Sequence, residues 1–155
     1  MNRKILAMLA LFATAVASVG CQSISLLTVE GAGANASAEE HLAAIRRSAG
    51  LSILSPDAQL ERAARQQAEF MAASGRMVHT TARGRDFVTR VRGNGIEGAA
   101  AENIAYGRFG PDGLFSAWMN SSGHRRNMLD KRFTRFGLAS AKAGDRRYWA
   151  LVLAK

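Results

Sequence analysis

The stretch Tyr148 to Leu153 is nearly all apolar and lacks the alternation of a strand with one wet face. A strand of this composition needs cover on both sides, so it predicts the centre of a sheet with packing layers above and below. Thr134 to Lys142 and Arg147 to Ala154 both read as strands, and Ala143-Gly144-Asp145-Arg146 between them reads as a hairpin turn. The cover must come from the residues ahead of this pair, where apolar side chains recur at helical spacing.

Ser37 followed by Glu40 reads as a capping box, with Leu42, Ile45 and Ala49 on one face of a helix over about Ala38 to Ala49 that stops at Gly50. Ser55-Pro56-Asp57 reads as a second helix start, with Pro at the first helical position and an acid in the first turn. Leu60, Ala64, Ala68 and Met71 follow at helical spacing, widened by Ala63 and Phe70, until Gly75 ends the run. A third helix is expected over Asp86 to Arg92 with Phe87, Val88 and Val91 inward. Asn103 to Tyr106 reads as a short strand. Pro111 opens a helix carrying Leu114, Phe115 and Trp118, and Ser122 caps a further turn through Met128 and Leu129. Helices first and a small antiparallel sheet after them predict an α+β fold, an α-β-α sandwich.

The first residues address the compartment. Asn2, Arg3 and Lys4 precede thirteen residues, Ile5 to Ala17, without a charge, the pattern of an export signal and well short of the roughly 20 residues of a spanning helix. Ala17-Ser18-Val19-Gly20-Cys21 resembles the lipobox of bacterial lipoproteins, in which the cysteine carries the lipid. An ordinary cleaved signal is the alternative. The expected organisation is a signal peptide over 1–20, a flexible tether over 21–36 after a lipidated Cys21, and one domain over 37–155. The implied partner is the membrane, through Cys21, with delivery to the outer membrane in a Gram-negative host.

Cys21 is the only cysteine, which excludes a disulfide framework and a multi-cysteine zinc site. The 21 Lys and Arg against 12 Asp and Glu give a net charge of +9; loss of Arg3 and Lys4 with the signal still leaves +7. That excess suits anionic lipid or an envelope polymer once the chain is exported, and no nucleic acid partner is expected. Arg90, Arg92, Arg125, Arg126, Lys131, Arg132 and Arg135 concentrate it in the second half.

There are three histidines. His41 stands beside Glu39 and Glu40, the setting of a solvated surface histidine. His79 in Met77-Val78-His79-Thr80, Glu102 in Ala101-Glu102-Asn103-Ile104 and His124 in Ser122-Gly123-His124-Arg125-Arg126-Asn127 can act together only if folding assembles them. Two imidazoles and a carboxylate would then suit a divalent metal or a proton-transfer pair. No cofactor is required. Asn103 and Asn127 suit backbone turns, Trp118 suits packing between helix and sheet, and Arg125 and Arg126 suit either an anionic ligand or a solvated face. No Gly-x-Ser-x-Gly elbow, phosphate-binding glycine loop or free cysteine nucleophile is present.

The succession of these segments, with Trp118-Met119-Asn120-Ser121-Ser122-Gly123-His124-Arg125-Arg126-Asn127-Met128-Leu129 the most specific and Phe136-Gly137-Leu138-Ala139 closing it, resembles bacterial members of the CAP superfamily. These are SCP-domain relatives of cysteine-rich secretory proteins, antigen 5 and pathogenesis-related proteins. The resemblance runs from about Ala38 to Leu153 and implies the same α-β-α sandwich. It also implies a cleft in which the family's two histidines are His79 and His124 and its first glutamate is Glu102. Its second glutamate has no counterpart, since Ser121 stands there, and Ala101 replaces the glycine before Glu-Asn; the divalent ion the resemblance then implies is zinc or copper on His79 and His124. The function expected is an envelope-tethered, monomeric protein that binds a small amphiphile or envelope component in that cleft. The alternatives are a metal-assisted hydrolase of peptide or cell-wall bonds, with Glu102 activating water, and a basic scaffold for proteins or anionic polymers.

Overall fold

The computed structural model describes residues 31–155, with side chains from Asn35 onward. The signal, Cys21 and the first part of the expected tether lie outside the described residues. Along the chain come α1 (Gly31–Ser48), β1 (Ser55–Pro56), α2 (Ala58–Ser74), α3 (Phe87–Gly93), β2 (Ala100–Gly107), α4 (Pro111–Asn120), α5 (Ser122–Met128), β3 (Arg135–Ala143) and β4 (Arg146–Ala154). No described helix is long and apolar enough to cross a membrane.

The strands form one sheet in the order β1-β3-β4-β2, which puts the apolar β4 in the interior as expected. β3 and β4 pair antiparallel through a two-residue loop, Gly144-Asp145, with Gly144 at φ +65°, the left-handed conformation that glycine adopts at little cost. β2 joins the other side of β4, antiparallel, with Glu102 opposite Val152 and Asn103 opposite Leu151.

Period-two alternation divides β4 between two cores. Trp149, Leu151 and Leu153 pack with Leu42 of α1, Leu114, Phe115 and Trp118 of α4, and Phe136 and Leu138 of β3. Tyr148, Ala150, Val152 and Ala154 pack with Leu60, Ala63, Ala64 and Met71 of α2 and with Val91 and Ile96 around α3. The result is the α-β-α sandwich. At Gly137 the α2 layer sits so close that a Cβ would run into the backbone of Leu60 and Glu61.

Several local expectations are corrected. The sheet is mixed, because β1 pairs parallel with β3, Ser55 opposite Arg135 and Pro56 opposite Phe136. Ser55-Pro56 is therefore strand, and Asp57 is the N-cap of α2, its carboxylate accepting from the amides of Gln59 at 2.8 Å and Leu60 at 3.0 Å. The first helix begins at Gly31 rather than Ala38, so residues 31–36 of the expected tether are helical. Tertiary contact carries it past Ser37: Asn35 donates to Glu61 at 2.6 Å and accepts from the Leu138 amide at 2.9 Å. Ser121, not Ser122, caps α5. On α3 the inward polar residue is Arg90, while Val88 is 52% exposed. His41 is not simply solvated, since it stacks on Phe115 with ring centroids 4.9 Å apart and pairs with Asp112 at 3.1 Å.

Candidate functional site

β2 is the edge strand, and its alternation sends consecutive side chains to opposite layers. Glu102, in step with Ile104, faces the α2–α3 layer; Asn103, in step with Ala105, faces the α4–α5 layer.

On the first side, Glu102 is 2% exposed and both its oxygens are engaged. His79 Nδ1 lies 2.7 Å from Oε1, and Arg90 donates to Oε2 at 2.6 Å. With Nδ1–H given to the carboxylate, Nε2 is left as the free nitrogen of a ring that is 54% exposed. The loop that carries His79 is pinned from within. Buried Gln67 of α2 donates to the Val78 carbonyl at 2.6 Å, and Arg90 donates to the carbonyls of His79 at 3.2 Å and Arg85 at 2.7 Å. Arg90 is thus the buried counter-ion of Glu102 and a clamp on the histidine loop, not the surface cation that the sequence pattern suggests. The one signal for it is its place one residue before the inward Val91 on a short amphipathic helix.

On the second side, fully buried Asn103 donates to the His124 carbonyl at 3.1 Å and accepts from Asn127 at 2.9 Å. This fixes α5 against β2; Asn103 holds backbone as expected, while Asn127 holds chiefly the Asn103 side chain and reaches the Glu102 carbonyl only at 3.5 Å. Beyond α5, buried Arg46 of α1 donates to the carbonyls of Ser52 at 2.6 Å, Met128 at 2.9 Å and Asp130 at 3.0 Å, tying down the end of that helix. Trp118 is buried, as expected, and donates to the Ile104 carbonyl at 3.2 Å; its ring lies 6.3 Å from that of His124.

The two histidines are therefore held to the edge strand from opposite layers. Burial, and then the charge of His79, push the His124 imidazole below its ordinary value of 6.5. Arg125 is partly spent, donating to the Met119 carbonyl at 2.9 Å, while Arg126 is exposed.

Among the described residues no three His, Cys, Asp or Glu side chains gather as a metal site. The donors that suit an ion are the imidazoles of His79 and His124, since Glu102 is committed to Arg90 and His79. Two nitrogens fall short of the three protein ligands usual for catalytic zinc. Ser121, where the resemblance places a second acid, supplies no side-chain hydrogen bond to α5.

Residues 40–154 match the model of the cysteine-rich secretory protein family, CAP. The Bacillus subtilis protein YkwD is 33% identical over 101 residues, which are 64% of this chain and 39% of YkwD, so this chain spans well under half of that relative. An outer surface protein from Borrelia burgdorferi superposes with a TM-score of 0.70 at 20% identity, covering 79% of this chain and 92% of that one. An extracellular SCP-domain protein from Bacillus anthracis gives 0.67 at 24%, over 78% of this chain and 41% of that one. These likenesses establish the fold, and the family match spans both layers, the sheet and the residues of the His79–Glu102–His124 site. The chain belongs to the cysteine-rich secretory protein family.

Proposed function

We propose that this is an exported CAP protein, tethered to the cell envelope through Cys21, whose cleft between His79 and His124 binds the anionic group of a small amphiphile or other envelope component without turning it over. The observation that carries this reading is the commitment of Glu102. Its carboxylate is 2% exposed and held by Arg90 and His79, so the groups left to meet a ligand are imidazoles, with Arg125 and Arg126 on the same short helix as His124. Such a surface favours an anion over the activated water that hydrolysis needs. The neighbours' extracellular and outer-surface descriptions support export.

Contact binding and charge attraction are separated by their response to salt. Screening shortens from about 10 Å at 0.1 M salt to about 3 Å at 1 M, so nonspecific adhesion of the basic surface fades while cleft binding persists. Liposome co-sedimentation should show a salt-sensitive association indifferent to His124→Ala. Binding of a fluorescent anionic lipid should be salt-tolerant and lost in His124→Ala. Loss of all binding at high salt supports the scaffold reading instead, and Glu102-dependent cleavage of a cell-wall peptide supports the hydrolase. Cys21→Ser should release the protein from membranes, because two or more acyl chains give firm anchoring; wild-type protein in the soluble fraction with an unmodified thiol overturns the tether.

A further inference from the structure

Away from the histidines, α3 and the turn after it line a half-open cavity of about 550 Å³, within the size range of small-molecule sites. Its apolar wall comes from Phe87, Val88, Val91 and Ile96, and its charged lining from Arg92 and Glu97. His79, Glu102 and His124 are absent from that lining, so an occupant of this cavity would be independent of whatever the histidine cleft holds.

Three observations bear on an occupant. Val88 is 52% exposed although it sits on a helix whose Val91 is buried, so part of the apolar wall faces solvent. The turn passes Gly95 and Gly98 at φ +72° and +82°; a Cβ at Gly98 would meet nothing within 4 Å, whereas one at Gly95 would meet the Gln59 side chain at 3.1 Å, so the open side lies at Gly98. Among the described residues, neither Arg92 nor Glu97 has an ion-pair partner. Opposite charges lining one cavity, neither ion-paired among the described residues, set the head chemistry. A purely anionic head would meet the like charge of Glu97, and a purely cationic one that of Arg92. A head carrying both charges satisfies both, and an alkyl chain attached to it would cover Val88.

We propose that this cavity is a second binding site, for a single-chain amphiphile with a zwitterionic head of the phosphocholine or phosphoethanolamine kind. The anionic group pairs with Arg92, the ammonium with Glu97, and the chain lies along Phe87 and Val88, over buried Val91 and Ile96.

The test is a methyl NMR titration with dodecylphosphocholine below its micelle concentration, with dodecyl sulfate, dodecyltrimethylammonium and chain-free glycerophosphocholine as comparators. Dodecylphosphocholine should give saturable shifts at Val88, Val91 and Ile96, while each comparator binds there at least about tenfold more weakly, a difference of about 1.4 kcal/mol. Val88→Asp should remove the shifts at Val91 and Ile96, its thermal midpoint reporting that the fold is kept. Glu97→Lys, in the exposed turn, should move the preference to dodecyl sulfate by about tenfold. No shift with dodecylphosphocholine, equal shifts with all three detergents, or an unchanged head preference in Glu97→Lys overturns the proposal.

Discussion

Glu102 and Asn103 are adjacent on the edge strand β2 and grip opposite layers of the sandwich, Glu102 holding His79 and Arg90 while Asn103 holds the carbonyl of His124. A strand in the middle of the sheet also faces both layers, as β4 does, but its neighbouring strands keep the groups it grips apart. At the edge, two histidines 45 residues apart in sequence are held from the two layers, and burial, then the charge of His79, lowers the pKa of His124. The Glu-Asn pair thus acts as a two-sided bracket, which follows from the alternation of the strand.

The buried pair inside that bracket should dominate its energetics. Arg90 and Glu102 are 3% and 2% exposed, and removing one partner strands a charge away from water. Arg90→Met should cost about 3–5 kcal/mol in urea unfolding. The double variant Arg90→Met, Glu102→Leu should recover much of that loss, because no buried charge is left. A double variant as unstable as the single would mean that the loop clamp on the His79 and Arg85 carbonyls, rather than the ion pair, carries the cost.

His124 should impose a pH dependence of definite sign. Its folded-state pKa is depressed below 6.5, so unfolding restores a more basic imidazole and the unfolded chain takes up the proton first as pH falls. The contribution of neutral His124 to stability is full above about pH 6.5 and is lost as pH falls through the lower folded-state value. The carboxyls held low, Asp57, Asp86 and Asp130, the last at about 2, contribute stability that is lost only at more acid pH. Thermal midpoints should therefore fall on moving from about pH 7 to about pH 5, and the His124→Gln variant should flatten that fall. An unchanged slope in the variant excludes His124 as its source.

Metal binding should be modest and wholly dependent on the histidine pair. With two imidazoles as donors, zinc or copper has much of its coordination sphere left to water. Calorimetric titration should show weak binding that either His79→Ala or His124→Ala abolishes. Binding that survives the double replacement would place the ion elsewhere, His41 beside Asp112 being the other described imidazole near an acid.

What was legible in the sequence was whatever periodicity or a motif could carry. β4 declared two covered faces, α2 and α4 declared their buried stripes, and His79, Glu102 and His124 stood in recognisable segments. What escaped depended on contacts distant in sequence. Arg90 looks like any helix-surface cation until Glu102 is folded against it. Ser55-Pro56 looks like a helix start until β3 supplies a pairing edge. Ser37 looks like a cap until Asn35 finds Glu61 and Leu138. Val88 fits an inward pattern, yet it is half exposed and lines a cavity.

Two glycines should respond to substitution in opposite ways. Gly144 has open space around its Cβ position but a φ of +65°, so Gly144→Ala should cost about 1 kcal/mol through backbone strain, and Gly144→Asn should recover part of it because Asn tolerates that conformation. Gly137 is not among the positive-φ glycines but has no room, its Cβ position overlapping the backbone of Leu60 and Glu61. Relief there cannot come from a flexible side chain; α2 itself must move off β3. Gly137→Ala should therefore cost about 3 kcal/mol, the upper end for overpacking, and Gly137→Asn should be worse rather than better. Urea midpoints of the four variants decide the matter: if Gly137→Ala matches wild type, α2 does not sit on β3 as tightly as described.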